Sequence, residues 1–526
     1  MKTISLLSVS VFAIALAISQ SGRSGSARHG HEASSIIVST DVRSGVSHPV
    51  RDLELATLGK VDLSEPEEAD EWLAQPKSIT PEVEDRLVQR NIRVPLATVS
   101  GLNFDGQMAN SSSWLQPDAV GAVGETQYVQ WVNTNFSIYD KGTGALIKGP
   151  VAGNSLWSGF GGSCPTTNNG DPIVDYDKAA GRWVFTQRST PSGGPNYQCV
   201  AVSTTSDATG TYYLYAFPLP SGFPDYPKLS VWSDGYYMSI NYFSPGPPFT
   251  YVGAYVCALQ RSAMLTGAPA TSQCVQLSSN FVSLLPSDLD GLTAPPAGSP
   301  NYFIALGYNS LNLWKFHVDF SNPSNTTLTG PTNIPVAAFN TTCPNQACVS
   351  QPGTSQQLTT WSDRMMYRFA YRNFGSYESL VAIHSVLVSG RMAARWYELR
   401  SPGSGPYIYQ GGTYAADGNS RWMGSIAMDQ LGDIALGYSV SGPSTYPSIK
   451  YTGRLAADPT GTLEGENIMM AGSGSEPEVN NWGDYTSMSV DPTDDCTFWY
   501  TNEYLTSNGS RNWHTRIASF RFNACP

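Results

Sequence analysis

The chain has 526 residues and a formal net charge of −12, with 14% charged residues and abundant Gly (49), Pro (36), Tyr (28) and Trp (13). Charged content far below the usual ~25% argues against helical bundles and coiled coils, and a pI near 5.0 argues against a phosphate-binding surface and attraction to anionic membranes. Nucleic acid is not expected as a partner, and at about 150 residues per domain the length suggests three to four domains, although β-rich folds often run longer as one.

Lys2 precedes an apolar run over residues 4–17 that ends in small side chains, so residues 1–19 read as a secretory signal, with the mature chain starting near residues 18–28. The run is short for a bilayer span and no later stretch approaches 18 apolar residues, so no membrane insertion is expected. The protein is expected outside the cell, or in the periplasm if retained. Eight cysteines in an exported chain suggest disulfides, and their clustering suggests local ones: Cys164 with Cys199, Cys257 with Cys274, Cys343 with Cys348, and Cys496 with Cys525. Six histidines and no Cys-x-x-Cys motif make a metal centre unexpected, and no cofactor is predicted.

Residues 28–95 carry 21 charged side chains in 68 positions, against 49 in the 431 that follow, so residues 20–95 read as a separate charged extension or propeptide. Ser64 and Glu67 form a capping-box pattern ahead of Trp72, and Thr80-Pro81 reads as the opening of a second short helix through Arg90.

From residue 96 onward the pattern repeats. The stretch Asp225-Tyr226-Pro227-Lys228-Leu229-Ser230-Val231 aligns with Asp484-Tyr485-Thr486-Ser487-Met488-Ser489-Val490, each followed by a tight turn and a second strand. Weaker copies start at residues 118, 171, 288, 364 and 422, so seven starts recur at a mean spacing of about 61 residues. Four strands fit that spacing, and four-stranded sheets packed radially bury one another's faces; the sequence thus predicts an all-β fold, a single β-propeller of about seven four-stranded blades over residues 96–526. Residues 99–104 are placed to supply the outer strand of the last blade, closing the ring. Tandem β-sandwiches are the alternative, but they predict no such recurrence.

In a propeller the first residue of each copy and the last of its hairpin meet around one end of the central channel. The starts are Asp118, Asp171, Asp225, Asp288, Arg364, Trp422 and Asp484; the hairpin ends are Asn133, Arg188, Asn241, Tyr308, His384, Ser439 and Asn502. Asp118, Asp171, Asp225, Asp484 and Glu378 are the candidate catalytic carboxylates, because converging acids spread their pKa values and leave one protonated beside one ionised, as glycoside hydrolysis requires. Arg188, Arg364, Arg368, His384, Trp422 and Tyr485 are the candidate ligand contacts, the arginines suiting a carboxylate or sulfate and the aromatic rings a stacked sugar. A salt bridge from Arg368 to Glu378 is the structural alternative, as backbone capping is for the aspartates.

No Gly-x-Ser-x-Gly elbow, His-Glu-x-x-His motif or phosphate-binding Gly-Lys-Ser/Thr loop occurs. The acidic turn 491–495 is compatible with a structural calcium ion but lacks the EF-hand pattern and reads first as a plain turn. The stretches 363–380, 421–429 and 482–491 resemble a group of bacterial secreted proteins; the resemblance spans roughly residues 100–526, implies bacterial export and supplies no catalytic residue. The expected shape is also similar to that of sialidases, although the sialidase Asp-box (Ser-x-Asp-x-Gly-x-Thr-Trp) does not occur. Two functions stay open: a secreted enzyme acting on glycans, and a monomeric, non-catalytic module that binds a glycan or a cell-surface protein.

Overall fold

Alternation of apolar and polar residues between Gly-, Asn- and Asp-rich turns makes short strands, and strands dominate the molecule. The computed structural model describes residues 35–57, 84–90, 97–109, 116–341, 343, 346–509 and 512–525. Residues 1–19, the capping-box residues 64–67 and Thr80-Pro81 lie outside the described residues. Among the described residues the only α-helix is the single turn Arg261–Met264. None is a helix long and apolar enough to cross a membrane.

Seven inner strands, Val120–Val123, Ile173–Asp177, Phe223–Val231, Leu285–Leu289, Met366–Asn373, Ser420–Met428 and Ser487–Val490, each begin an antiparallel meander of four. Each inner strand packs against the next, and the seventh packs against the first, so the sheets stand around a common axis as propeller blades do. The fourth and fifth sheets are also joined at the axis by parallel pairing of Ser287 with Phe369. The outer strand of the seventh sheet is Thr98–Met108, which comes from the start of the propeller and pairs antiparallel with Trp513–Phe522 at its end. The fourth repeat begins at Leu285, not at Asp288. Asp288 therefore lies inside its strand and away from the strand start.

Aromatic side chains fill the seams between sheets, which accounts for the richness in Tyr and Trp. Trp131 meets Phe185 edge-on at 5.6 Å between the first and second sheets, Tyr237 meets Phe316 at 5.6 Å between the third and fourth, and Tyr451 stacks on Phe520 at 3.9 Å between the sixth and seventh. Gly437 is required at one such seam, because a Cβ there would enter the Tyr500 ring. Four disulfides form, Cys164–Cys199, Cys257–Cys274, Cys343–Cys348 and Cys496–Cys525, all between cysteines close in sequence. Disulfides of this kind persist in oxidising compartments, in keeping with an extracellular protein.

The described parts of the extension are extended chain. Ile37–Thr40 adds a fifth strand to the third sheet, Ser44–Val46 adds one to the second, and Ala56 donates to Pro150 O on the first. Residues 84–90 form no helix, contrary to the sequence expectation; Asp85 caps a turn by accepting from Leu87 N, and Val88 bridges to Thr413 of the fifth sheet. Asp85 draws the segment down. Its carboxylate sits 2.6 Å from the fully enclosed Arg395 guanidinium and accepts from Thr413 Oγ1 at 2.7 Å. Gln89 exchanges two hydrogen bonds with Leu463, in the loop that precedes the outer strand of the sixth sheet. Removing one partner of a buried ion pair costs about 3–5 kcal/mol, against about 0–1 for an exposed pair. Asp85→Ala is therefore expected to lower the unfolding free energy measured by chemical denaturation by about 3–5 kcal/mol. A shift below about 1 kcal/mol would show that residues 84–90 rest on the sheet without holding it.

Candidate functional site

The strand entries of five sheets converge at one end of the axis. Asp118 and Asp171 adopt left-handed backbone conformations (φ 42° and 49°) just before the first and second inner strands, which a short acceptor side chain tolerates. Asp118 accepts from Asn133 Nδ2 at 2.9 Å and from the Asp484 backbone N–H at 2.8 Å, tying the first sheet to the seventh. Arg188 of the second sheet lies between Asp171 at 3.1 Å and Asp225 at 2.5 Å, tying the second to the third. Lys228 Nζ stands 3.4 Å above the Tyr226 ring centroid and 4.0 Å from that of Tyr485. Arg364 stacks on Tyr226 and Trp361 at 4.6 and 4.7 Å while its Nε reaches Asp363 at 2.9 Å. Tyr485 donates to Pro172 O, and burial, then Asp171, Asp118 and Asp484, push its hydroxyl well above the ordinary range.

Of the residues the sequence singled out, the structure thus brings together Asp118, Asp171, Asp225, Asp484, Arg188, Arg364 and Tyr485. Trp422 lies nearby, enclosed and 5.5 Å from Trp482, whose Nε1 donates to Ser439. Three predicted residues lie elsewhere. Glu378 pairs with Asn373 at the turn of the fifth hairpin, the opposite end of the strand from Arg364, and accepts from Tyr371 Oη at 2.6 Å. Arg368 points to the axis, where it binds Asp288 at 2.5 Å, Asp290 at 2.9 Å and Met488 O at 3.0 Å, so the expected bridge to Glu378 does not form. His384 is in mid-strand between Phe339 and Tyr397; burial and then Arg395 push its pKa well below the ordinary value, so its imidazole is neutral.

One acid at this end escaped the sequence reading. Glu503 follows the hairpin-end residue Asn502 and accepts from the Gly483 backbone N–H at 2.5 Å. Gly483 and Asp484 therefore donate successive N–H groups to Glu503 and Asp118. Burial first, then Asp484 and Glu476, push the Glu503 carboxyl up to about 8, so it is protonated at neutral pH. Its position one residue past the hairpin end was the available signal, but only the hairpin-end residue Asn502 was read from the repeat.

The site is roofed. The connection between the fourth and fifth sheets supplies Gln351, which exchanges hydrogen bonds with the Glu476 backbone at 2.9 and 2.8 Å, and Thr359, which donates to Asn480 O. Trp361 at its end covers Arg364. Asp118, Lys228 and Arg364 are thereby enclosed, whereas the Asp171, Arg188 and Asp225 side chains keep 10%, 8% and 7% exposure. The site keeps contact with solvent at the second and third sheets and at Asp363, just before the fifth inner strand. Among the described residues no three His, Cys, Asp or Glu side chains gather as metal ligands. In the acidic turn 491–495, Asp491 is taken by Lys141 and Thr493, and Asp495 by Arg372.

The sequence matches no protein-family model and no curated protein. Among solved structures, an endo-arabinase from Bacteroides thetaiotaomicron is similar at 11% identity, over 70% of this chain and 99% of that one, with a TM-score of 0.29. The α-L-arabinofuranosidase Arb93A from Fusarium graminearum is similar at 10% identity, over 83% and 99%, with a TM-score of 0.34. A Trypanosoma rangeli sialidase is similar at 9% identity, over 67% of this chain and 54% of its own, with a TM-score of 0.32. Likeness at this level carries no statement about the chemistry of this chain.

Glu503 makes stability pH-dependent in a defined sense. Its folded pKa is raised above the unfolded value near 4.5, so the folded state holds an extra proton between about pH 4.5 and 8 and loses stability as pH rises through that window, at roughly 1.4 kcal/mol per unit. Glu503→Gln is expected to match the parent near pH 4 and to become progressively more stable than it up to pH 8. Parallel denaturation curves across that range would place Glu503 in an ordinary, solvated setting.

Proposed function

We propose that this protein is a secreted, monomeric propeller that acts on extracellular glycans at the roofed end of its axis. Residues 1–19 serve as its export signal. The observation that carries this reading is the pairing, through Gly483 and Asp484, of a protonated Glu503 with Asp118, which two N–H groups hold as an acceptor. One carboxylic acid beside one carboxylate is the requirement for glycosidic cleavage: Glu503 protonates the departing oxygen, and Asp118 or Asp484 supplies the negative charge that meets the developing cation or activates water. Tyr226, Tyr485 and Trp361 provide apolar ring faces around it. Substrate reaches Glu503 when the Gln351–Glu476 contact of the roof releases.

The second reading is a non-catalytic module that holds a glycan or a cell-surface protein at the same end. It is favoured by the enclosure of Glu503, which is 4% exposed beneath that roof. A screen of the secreted protein on neutral, basic and acidic polysaccharides, scoring new reducing ends and retention together, separates the two. Cleavage that falls about 10²- to 10⁴-fold in Glu503→Gln, the usual loss for a general acid, supports the enzyme. Retention without cleavage on every polymer replaces it with the binding module.

A further inference from the structure

Resting on the glycan reading of this end of the axis, we propose that the Asp171–Arg188–Asp225 triad sets the class of glycan. It admits sugars that present hydroxyl or amino donors and turns away uronates, sialates and sulfated sugars. The triad keeps contact with solvent, as Asp363 does, whereas Asp118, Lys228 and Arg364 are roofed. Arg188 does not offer an open fork to an anion: Nη1 is engaged by Asp171, Asp225 and Pro224 O at 3.1, 2.5 and 3.1 Å, and Nε donates to Asn169 O at 3.1 Å.

The neighbouring cations are committed too. Lys228 is held against two tyrosine rings, and Arg364 is paired with Asp363 and stacked between rings. Five carboxyl groups (Asp118, Asp171, Asp225, Asp363, Asp484) face three cations, so acidic groups outnumber basic ones and leave a surplus of acids. An incoming carboxylate or sulfate meets that surplus in a poorly solvated setting, where like charges repel strongly.

A separate observation points to a donor ligand. Asp171 Oδ2 is buried and has its ion pair with Arg188, yet accepts no hydrogen bond. A buried acceptor with unused capacity favours a ligand O–H or N–H. Phe223, half-buried, lies beside it with the Arg188 guanidinium over its ring at 5.3 Å and Phe249 packed against it at 5.1 Å.

The test is equilibrium binding of the full secreted chain to four probes: chitosan hexamer, soluble neutral xylan, polygalacturonate and dextran sulfate. The parent is expected to bind the first or second at least tenfold more tightly than the last two, with chitosan binding weakened by salt. Asp225→Asn, which frees one side of Arg188, is expected to gain at least tenfold for polygalacturonate, and Asp171→Asn, checked alongside for an unchanged melting temperature, is expected to do the same. If the parent binds the acidic polymers as well as the others, the triad does not select and the glycan reading survives. If folded variants leave the anion preference unmoved, the triad is likewise rejected. If the parent binds none of the four and cleaves none, the glycan reading fails and this inference goes with it.

Discussion

A strand contributed across the whole length of the propeller holds the ring. Thr98–Met108 pairs with Trp513–Phe522, so the last sheet is completed by the first segment of the propeller and no wide edge is left at the seam. Everything at the axis depends on that closure. Asp118 sits just past the closing strand, and its bond to the Asp484 backbone crosses the same seam. A ring open there would separate Glu503 and Asp484 from Asp118.

Within the ring, charge is arranged in two tiers. Deep on the axis, Arg368 of the fifth sheet joins Asp288 and Asp290 of the fourth to Met488 O of the seventh, and Lys178 of the second sheet reaches Asp290 at 2.6 Å. Burial alone would raise the Asp290 carboxyl, but Arg368 and Lys178 beside it hold it well below the usual range. Burial and then Asp288 push the Asp175 carboxyl well above the usual range there. This tier joins four sheets and behaves as a structural core in which ion pairs replace apolar packing. The upper tier differs because solvent reaches part of it and because aromatic rings stand among its charges.

The extension acts on the outside of the ring as the closing strand acts within it. Its described parts run along the outer edges of the third, second and first sheets and then across the fifth and sixth. Covering outer edges removes unpaired N–H and C=O groups that would otherwise recruit other chains. Asp85 is the buried anchor of this covering, through its ion pair with Arg395.

What the sequence by itself determined is what depends on neighbours along the chain. Period-two alternation and turn residues located the hairpins; their recurrence gave the repeat; and close cysteines paired as their spacing suggested, because a short loop keeps its ends near each other. The meeting of Asp118, Asp171, Asp225, Asp484, Arg188 and Arg364 was legible for the same reason, since equivalent positions in a repeat return to the same end of the ring. Tertiary structure alone decided the partners across sheets. Arg368 was matched to Glu378, ten residues away, but took Asp288 and Asp290 because strand direction sends Glu378 to the far end while the axis brings the fourth sheet close. His384 and Asp288 were assigned to strand ends and lie within strands, because a drifted repeat shifts register by several residues without disturbing the alternation that betrays a strand. Glu503 acquired its raised pKa only through burial beneath Gly483 and beside Asp484, and residues 84–90 exchanged a helix for an Arg395 contact. Desolvation and through-space pairing are properties of the assembled ring, and no local pattern encodes them.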